Sequence, residues 1–212
     1  MTDFLNAFFL IYAALFPIIN PIGNTPIILG LTRGRSTRER ALLARHVAVN
    51  SFFLLLGSLL LGSHVLEFFG ISLPVVRIGG GLVVTAFGWR LLNSGIADHR
   101  DAPSGEHHLD AFYPFTMPLT VGPGAMSVAI ALGSQRPSLA DLPHLLMLGG
   151  SALTGLLALS LTIYLCYRFA EKTVSRLGTS GTNVVVRLSA FILLCIGIQI
   201  IWTGWTALTA LH

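Results

Sequence analysis

The sequence predicts an all-α membrane protein: six transmembrane helices arranged as two inverted three-helix repeats, with helices 1 and 4 broken at mid-membrane. Three observations predict it. The 212 residues are 53% hydrophobic and only 10% charged, where a soluble domain carries about 25% charged residues. The apolar residues gather into six runs, at residues 4–31, 43–69, 73–92, 112–132, 142–167 and 184–211. Two of those runs, one in each half, are interrupted by clustered proline, glycine and polar residues.

A hydrocarbon core about 30 Å thick takes roughly 20 helical residues to cross, and each run is about that long. None alternates as a membrane barrel strand does. The N-terminus, Met1-Thr2-Asp3, lacks the basic stretch of a cleaved signal, so the first run is expected to persist as a span. It contains Phe16-Pro17-Ile18-Ile19-Asn20-Pro21-Ile22-Gly23-Asn24-Thr25-Pro26. Proline removes a backbone donor and collides with the carbonyl four residues back, so a helix here has to break.

The next loop carries Arg33, Arg35, Arg38, Arg40 and Arg45 against Glu39 alone. Basic residues mark cytoplasmic loops. Alternation then places Arg90, Arg100, Arg168, Lys172 and Arg176 on that same side, with Arg136 opposite. Both termini are therefore expected outside. The basic residues sit at helix ends rather than on a patch with aromatics, so the formal net charge of +4 is read as a topology signal and not as a nucleic-acid surface.

In the second run, His46 and Asn50 lie one turn apart. They form either a polar face towards a cavity, with His46 able to carry a proton, or a helix-packing pair. The third run opens Val75-Val76-Arg77-Ile78, and the sixth opens Val185-Val186-Arg187-Leu188. That recurrence supports two repeats, residues 1–93 and 111–212, joined by a solvated cytoplasmic linker at 94–110. A unit of three crossings ends on the opposite side, so its second copy is inverted. Arg77 and Arg187 are candidates for coupling or gating, or else snorkel to the interface. Cys166 and Cys195 lie in apolar runs without ligand spacing, as small buried hydrophobes do. No metal and no cofactor is expected.

The fourth run reads Pro114-Phe115-Thr116-Met117-Pro118-Leu119-Thr120-Val121-Gly122-Pro123-Gly124-Ala125. Paired interruptions in corresponding places of two halves point to the binding site of a secondary transporter. A broken helix exposes N–H groups at one new end and carbonyls at the other. The first suits an anion and the second a cation. Both together suit a small zwitterion. The candidate binding residues are Asn20, Pro21, Gly23, Asn24, Thr25, Thr120, Gly122, Pro123, Gly124 and Ser127. Glycines are expected to let a ligand approach the main chain. No acidic residue lies at mid-membrane depth. Coupling therefore falls to H⁺ through His46, to Na⁺ on backbone carbonyls, or to no ion.

NPIGNTPIILGLT resembles the first signature of the MarC family, and PLTVGPGA its second; the resemblance covers nearly the whole chain. It carries over Asn20, Pro21, Gly23, Asn24 and Pro26 from the first motif, and Pro118, Gly122, Pro123 and Gly124 from the second. The resemblance implies a six-span protein of the prokaryotic inner membrane. Its SnatA-like branch is associated with transport of small neutral amino acids such as glycine and alanine. The function expected is therefore an exporter or exchanger of that class, working by alternating access around a mid-membrane site. A passive channel for small solutes and a non-transporting scaffold are the rivals. An enzyme is not expected, since no nucleophile–base pair, His-Glu-x-x-His motif or aspartate pair lies at membrane depth. The partners expected are the bilayer and an amino acid. No feature of the sequence sets an oligomeric state.

Overall fold

The computed structural model describes residues 2–32, 34–94, 110–134 and 142–210. Among them every regular element is helical: α1 (Thr2–Ile19), α2 (Pro21–Leu31), α3 (Thr37–Phe68), α4 (Leu73–Ser94), an irregular π-type segment (Phe115–Thr120), α5 (Pro123–Gly133), α6 (Leu142–Arg168) and α7 (Ala170–Thr209). The expected linker, apart from its two ends, lies outside the described residues, as do Arg33 and Arg136.

Among the described residues, five stretches are long and apolar enough to cross a membrane: Asp3–Leu31, Thr37–Phe68, Leu73–Asn93, Leu146–Arg168 and Ser180–Thr209. The fourth expected span, the second of the two expected to break, is not a helix of that kind. It consists of the π-type segment followed by the 11 residues of α5, and 11 helical residues reach only about 16 Å. Pro118 and Pro123 remove backbone donors, and Met117 leaves helical geometry altogether (φ −118°, ψ 124°). The peptide bonds before Pro114 and Pro118 are cis.

The first break falls at a single residue. Asn20 sits in the left-handed region (φ 48°, ψ 56°) and Pro21 starts α2. Asparagine is among the few side chains that visit this region readily, and proline suits a first helical position. The Asn20 side chain closes the turn by accepting a hydrogen bond from the Gly23 N–H at 3.1 Å. Pro17 and Pro26, by contrast, are accommodated inside α1 and α2.

Ser36 and Glu39 cap α3 reciprocally, each satisfying a backbone N–H that the helix itself leaves free. The stretch expected as a loop between the fifth and sixth spans is largely helical instead. α7 begins at Ala170 and bends at Gly178 (φ 64°), a backbone conformation that glycine adopts without steric cost.

The most extensive packing joins α4 to α7. It is made by glycines set against opposing backbone. A Cβ added to Gly81 would stand 2.8 Å from the Gly197 carbonyl, one on Gly88 2.7 Å from the Leu194 nitrogen, and one on Gly204 2.8 Å from the Pro74 carbonyl. Small residues at such crossings are what let helices approach in a lipid solvent, where burial of apolar area gives no advantage over lipid. α3 packs on α5 and α6, α1 on α6, α2 on α7, and α4 on α5. Leu15, Leu55, Phe115, Leu156, Leu159 and Ile163 are fully buried among these helices. Phe9, Phe53, Leu61, Trp89 and Trp202 are exposed, as an outer surface that faces hydrocarbon requires.

Candidate functional site

The two breaks meet. Asn24, one turn into α2 and 2% exposed, donates from Nδ2 to the Ile19 carbonyl at 2.9 Å and to the Leu119 carbonyl at 3.0 Å. Ile19 ends α1, and Leu119 lies in the π-type segment. One amide thus satisfies the carbonyl ends left by both ruptures. In a bilayer such groups cost several kcal/mol each if left without a partner.

Beside this bridge lies a cavity of about 70 Å³, room for a few waters at ~10–15 Å³ each. Asn20, Asn24, Thr120, Gly122, Pro123 and Gly124 are on its wall, together with Leu119, Ala125 and the middle of α4 at Val83, Val84 and Phe87. Asn20 and Asn24 each bury one amide atom that makes no hydrogen bond, Nδ2 and Oδ1 respectively. One is a donor and the other an acceptor. Helix α5 begins here with Gly122 as N-cap, and no side chain caps it. Its first N–H groups, on Gly124 and Ala125, belong to residues of the cavity wall. Carbonyl, amide and helix end thus supply both signs of partial charge without a formal charge. Among the described residues no cluster of three His, Cys, Asp or Glu could hold a metal.

Six of the ten expected binding residues therefore share one wall, and four do not. Pro21 and Thr25 form a pair within α2, where the Thr25 hydroxyl donates to the Pro21 carbonyl at 2.8 Å. Gly23 is packed rather than open: a Cβ there would meet the Asn20 amide and stand 2.6 Å from Ser189 Cβ. Its bareness lets α2 approach α7. Ser127 donates to the Gly124 carbonyl at 2.8 Å and lies against Gly80 of α4. Gly124 lines the cavity, yet a Cβ on it would run into Val84. His46 and Arg187 are exposed, Asn50 and Arg77 are partly buried, and none of the four lines this cavity.

Sequence reasoning missed Tyr167. It is 2% exposed, and its hydroxyl lies 3.0 Å from Thr120 Oγ1. Thr120 spends its own proton on the Phe115 carbonyl at 2.6 Å, so Tyr167 is the donor to Thr120. A tyrosine beside Arg168 at the end of an apolar run reads as an interfacial anchor. Only its burial reveals the inward hydroxyl.

Residues 5–209 match the family model described as MarC family integral membrane protein. Among curated proteins the chain is 27% identical over 200 residues to the UPF0056 membrane protein YvbG of Bacillus subtilis, covering 92% of each chain. It is 30% identical over 213 residues to the UPF0056 inner membrane protein MarC of Citrobacter koseri, covering 96% of each. It is 27% identical over 208 residues to a UPF0056 membrane protein of Archaeoglobus fulgidus, covering 96% of this chain and 94% of the other. No solved structure matches.

Proposed function

The chain belongs to the MarC family of integral membrane proteins, and on that premise we propose that it is a secondary transporter of small neutral amino acids, with its binding site where the two breaks meet. One observation carries this reading: Asn20 and Asn24, each burying one amide atom that no protein group satisfies (Nδ2 and Oδ1 respectively), line one small cavity beside the uncapped start of α5. A carboxylate suits Asn20 Nδ2 and the α5 amides, because donors and the helix dipole both favour negative charge. An ammonium suits Asn24 Oδ1. A cavity of about 70 Å³ favours a small ligand and leaves a long side chain no place. No side chain on the wall carries a formal charge, which favours a ligand of zero net charge.

The inverted-repeat reading has support in the packing. Exchanging the two halves maps α3 on α6 and α4 on α7 each onto itself, and maps α4 on α5 onto α7 on α2, all of which are observed contacts. The cavity faces the middle of α4, which favours a site at mid-depth. Rocking of one repeat against the other would then expose it alternately to each side. Relatives named as inner membrane proteins favour the prokaryotic inner membrane, and the arginine placement favours both termini outside. The chemistry proposed is binding and passage, not catalysis.

Counterflow in proteoliposomes tests the proposal. Labelled glycine or alanine should accumulate in vesicles preloaded with the unlabelled amino acid and saturate with concentration. Non-saturating flux would mean a channel. No flux, and no rise in melting temperature with any small amino acid, would overturn the reading. Repeating the measurement with H⁺ and Na⁺ gradients identifies the coupling ion.

A further inference from the structure

A second, smaller cavity, of about 10 Å³, lies beyond the first, lined by Ile28, Thr32, Arg40, Val47, Tyr167 and Ala170 among others. It has room for about one water. Tyr167 joins the two spaces: it lines the small cavity, and its hydroxyl reaches Thr120 on the wall of the large one. At the far side of the small cavity, Arg40 Nη2 donates to Glu171 Oε2 at 2.7 Å. The side chains of that ion pair are 19% and 62% exposed respectively, so the sequence from cavity to ion pair ends in solvent.

These contacts form an ordered line: large cavity, Thr120–Tyr167 hydrogen bond, small cavity, Arg40–Glu171 ion pair, solvent. Each closure joins the expected repeats or their broken ends. Arg40 belongs to the first turns of α3 and Glu171 to the first turn of α7. Tyr167 on α6 holds the π-type segment by its last residue. Among the described residues, the other hydroxyl pair across elements is the partly buried Tyr12–Thr162 contact between α1 and α6, which lines neither cavity.

We propose that Tyr167 and the Arg40–Glu171 pair are the inner and outer bars of a gate that shuts the central cavity from the membrane face carrying the α2–α3 turn. The inference rests on the transporter reading for its purpose, but its geometry does not depend on which solute passes. The small cavity is the collapsed remnant of a passage. Opening requires Tyr167 to release Thr120 and the first turns of α3 and α7 to part, so that Arg40 exchanges Glu171 for water or for the carboxylate of a passing ligand. Both bars are weak. A buried hydroxyl pair of this kind biases an equilibrium by about fivefold and an exposed ion pair by about two- to fivefold, which suits a barrier that has to open in each cycle.

The test is side-specific labelling of a thiol in the central cavity. Val84, which lines that cavity and is 6% exposed, is replaced as Val84→Cys in the full chain after Cys166→Ala and Cys195→Ala. A membrane-impermeant charged methanethiosulfonate is applied to sealed vesicles from either face. From the face bearing the α2–α3 turn, Glu171→Gln and Tyr167→Phe should each speed labelling about two- to fivefold, and together by more. The charge-reversed pair Arg40→Glu with Glu171→Arg should return the rate towards that of the parent. Labelling from the opposite face should not rise. Unchanged rates in Glu171→Gln, a surface variant that keeps the melting temperature, would overturn the proposal. So would equal acceleration from both faces, which means general loosening. Because labelling requires no transported solute, the expected pattern in a protein that moves no amino acid would leave the gate standing and remove the substrate reading. Amino-acid counterflow with unaltered labelling would do the reverse.

Discussion

Asn24 carries more of the site than any other residue, because its two N–H groups serve two carbonyls belonging to different halves of the chain. Asn24→Ala should leave both carbonyls without that partner in a buried place, at about 1–3 kcal/mol each, and a fluorescence-monitored melt should show a drop of several degrees. Asn24→Asp keeps the acceptor but loses the donors, so it should melt low as well. Glycines divide by what surrounds them. A Cβ on Gly133 would strike the Leu59 carbonyl, while one on Gly57 meets nothing within 4 Å. Gly133→Ala should therefore destabilise by about 1–3 kcal/mol, and Gly57→Ala should be neutral or stabilise by up to about 0.5–1 kcal/mol; paired melts of the two variants check the contrast. At this scale the sequence identified residue types better than roles. Asparagine, threonine and glycine at a break announce a polar site. Which of two asparagines turns back to bridge, and which glycine faces a neighbouring helix rather than a ligand, depends on contacts with residues far along the chain such as Leu119 and Ser189. Local spacing does not encode these.

Among the elements, the two broken spans are built differently. The first breaks at one left-handed residue and resumes at once as α2; the second passes through the π-type segment, with Val121 and Gly122 before α5. The proline and glycine pattern made both breaks legible. The unequal geometry was not legible, because proline only forbids a helix and does not choose the alternative. The first break yields a clean separation of fold from binding. Asn20→Gly keeps access to positive φ and loses the cap, while Asn20→Ala loses both. The alanine variant should melt lower than the glycine variant, by about 1 kcal/mol for the left-handed backbone. Both should bind glycine or alanine more weakly, by about fivefold for one missing hydrogen bond, as read by isothermal titration. Equal affinity in Asn20→Gly and the parent would remove Asn20 from the site. The helix that carries Glu171 was also hidden from the sequence. Residues 170–177 are too polar for a span, so length and hydropathy passed over them, although they fold as the first two turns of α7 ahead of Gly178.

At the scale of the molecule, hydropathy finds six apolar runs; among the described residues five stretches are helices long and apolar enough to cross a membrane, and the fourth run is the divided one. The proposed orientation rests on arginine placement. A reporter active only outside the cytoplasm should therefore be active when fused at the C-terminus, and one active only inside should be active when inserted at Gly34. The opposite pattern would reverse the topology and with it the side on which the Arg40–Glu171 gate stands. The glycine seam between α4 and α7 has a consequence for motion. Backbone laid on backbone leaves little slack for sliding, so if the two halves rock as proposed, this seam is the pivot about which they turn. Spin labels placed along it should then report a nearly constant separation whether the protein is empty or loaded, while labels on α3 and α6, away from the pivot, should report a change.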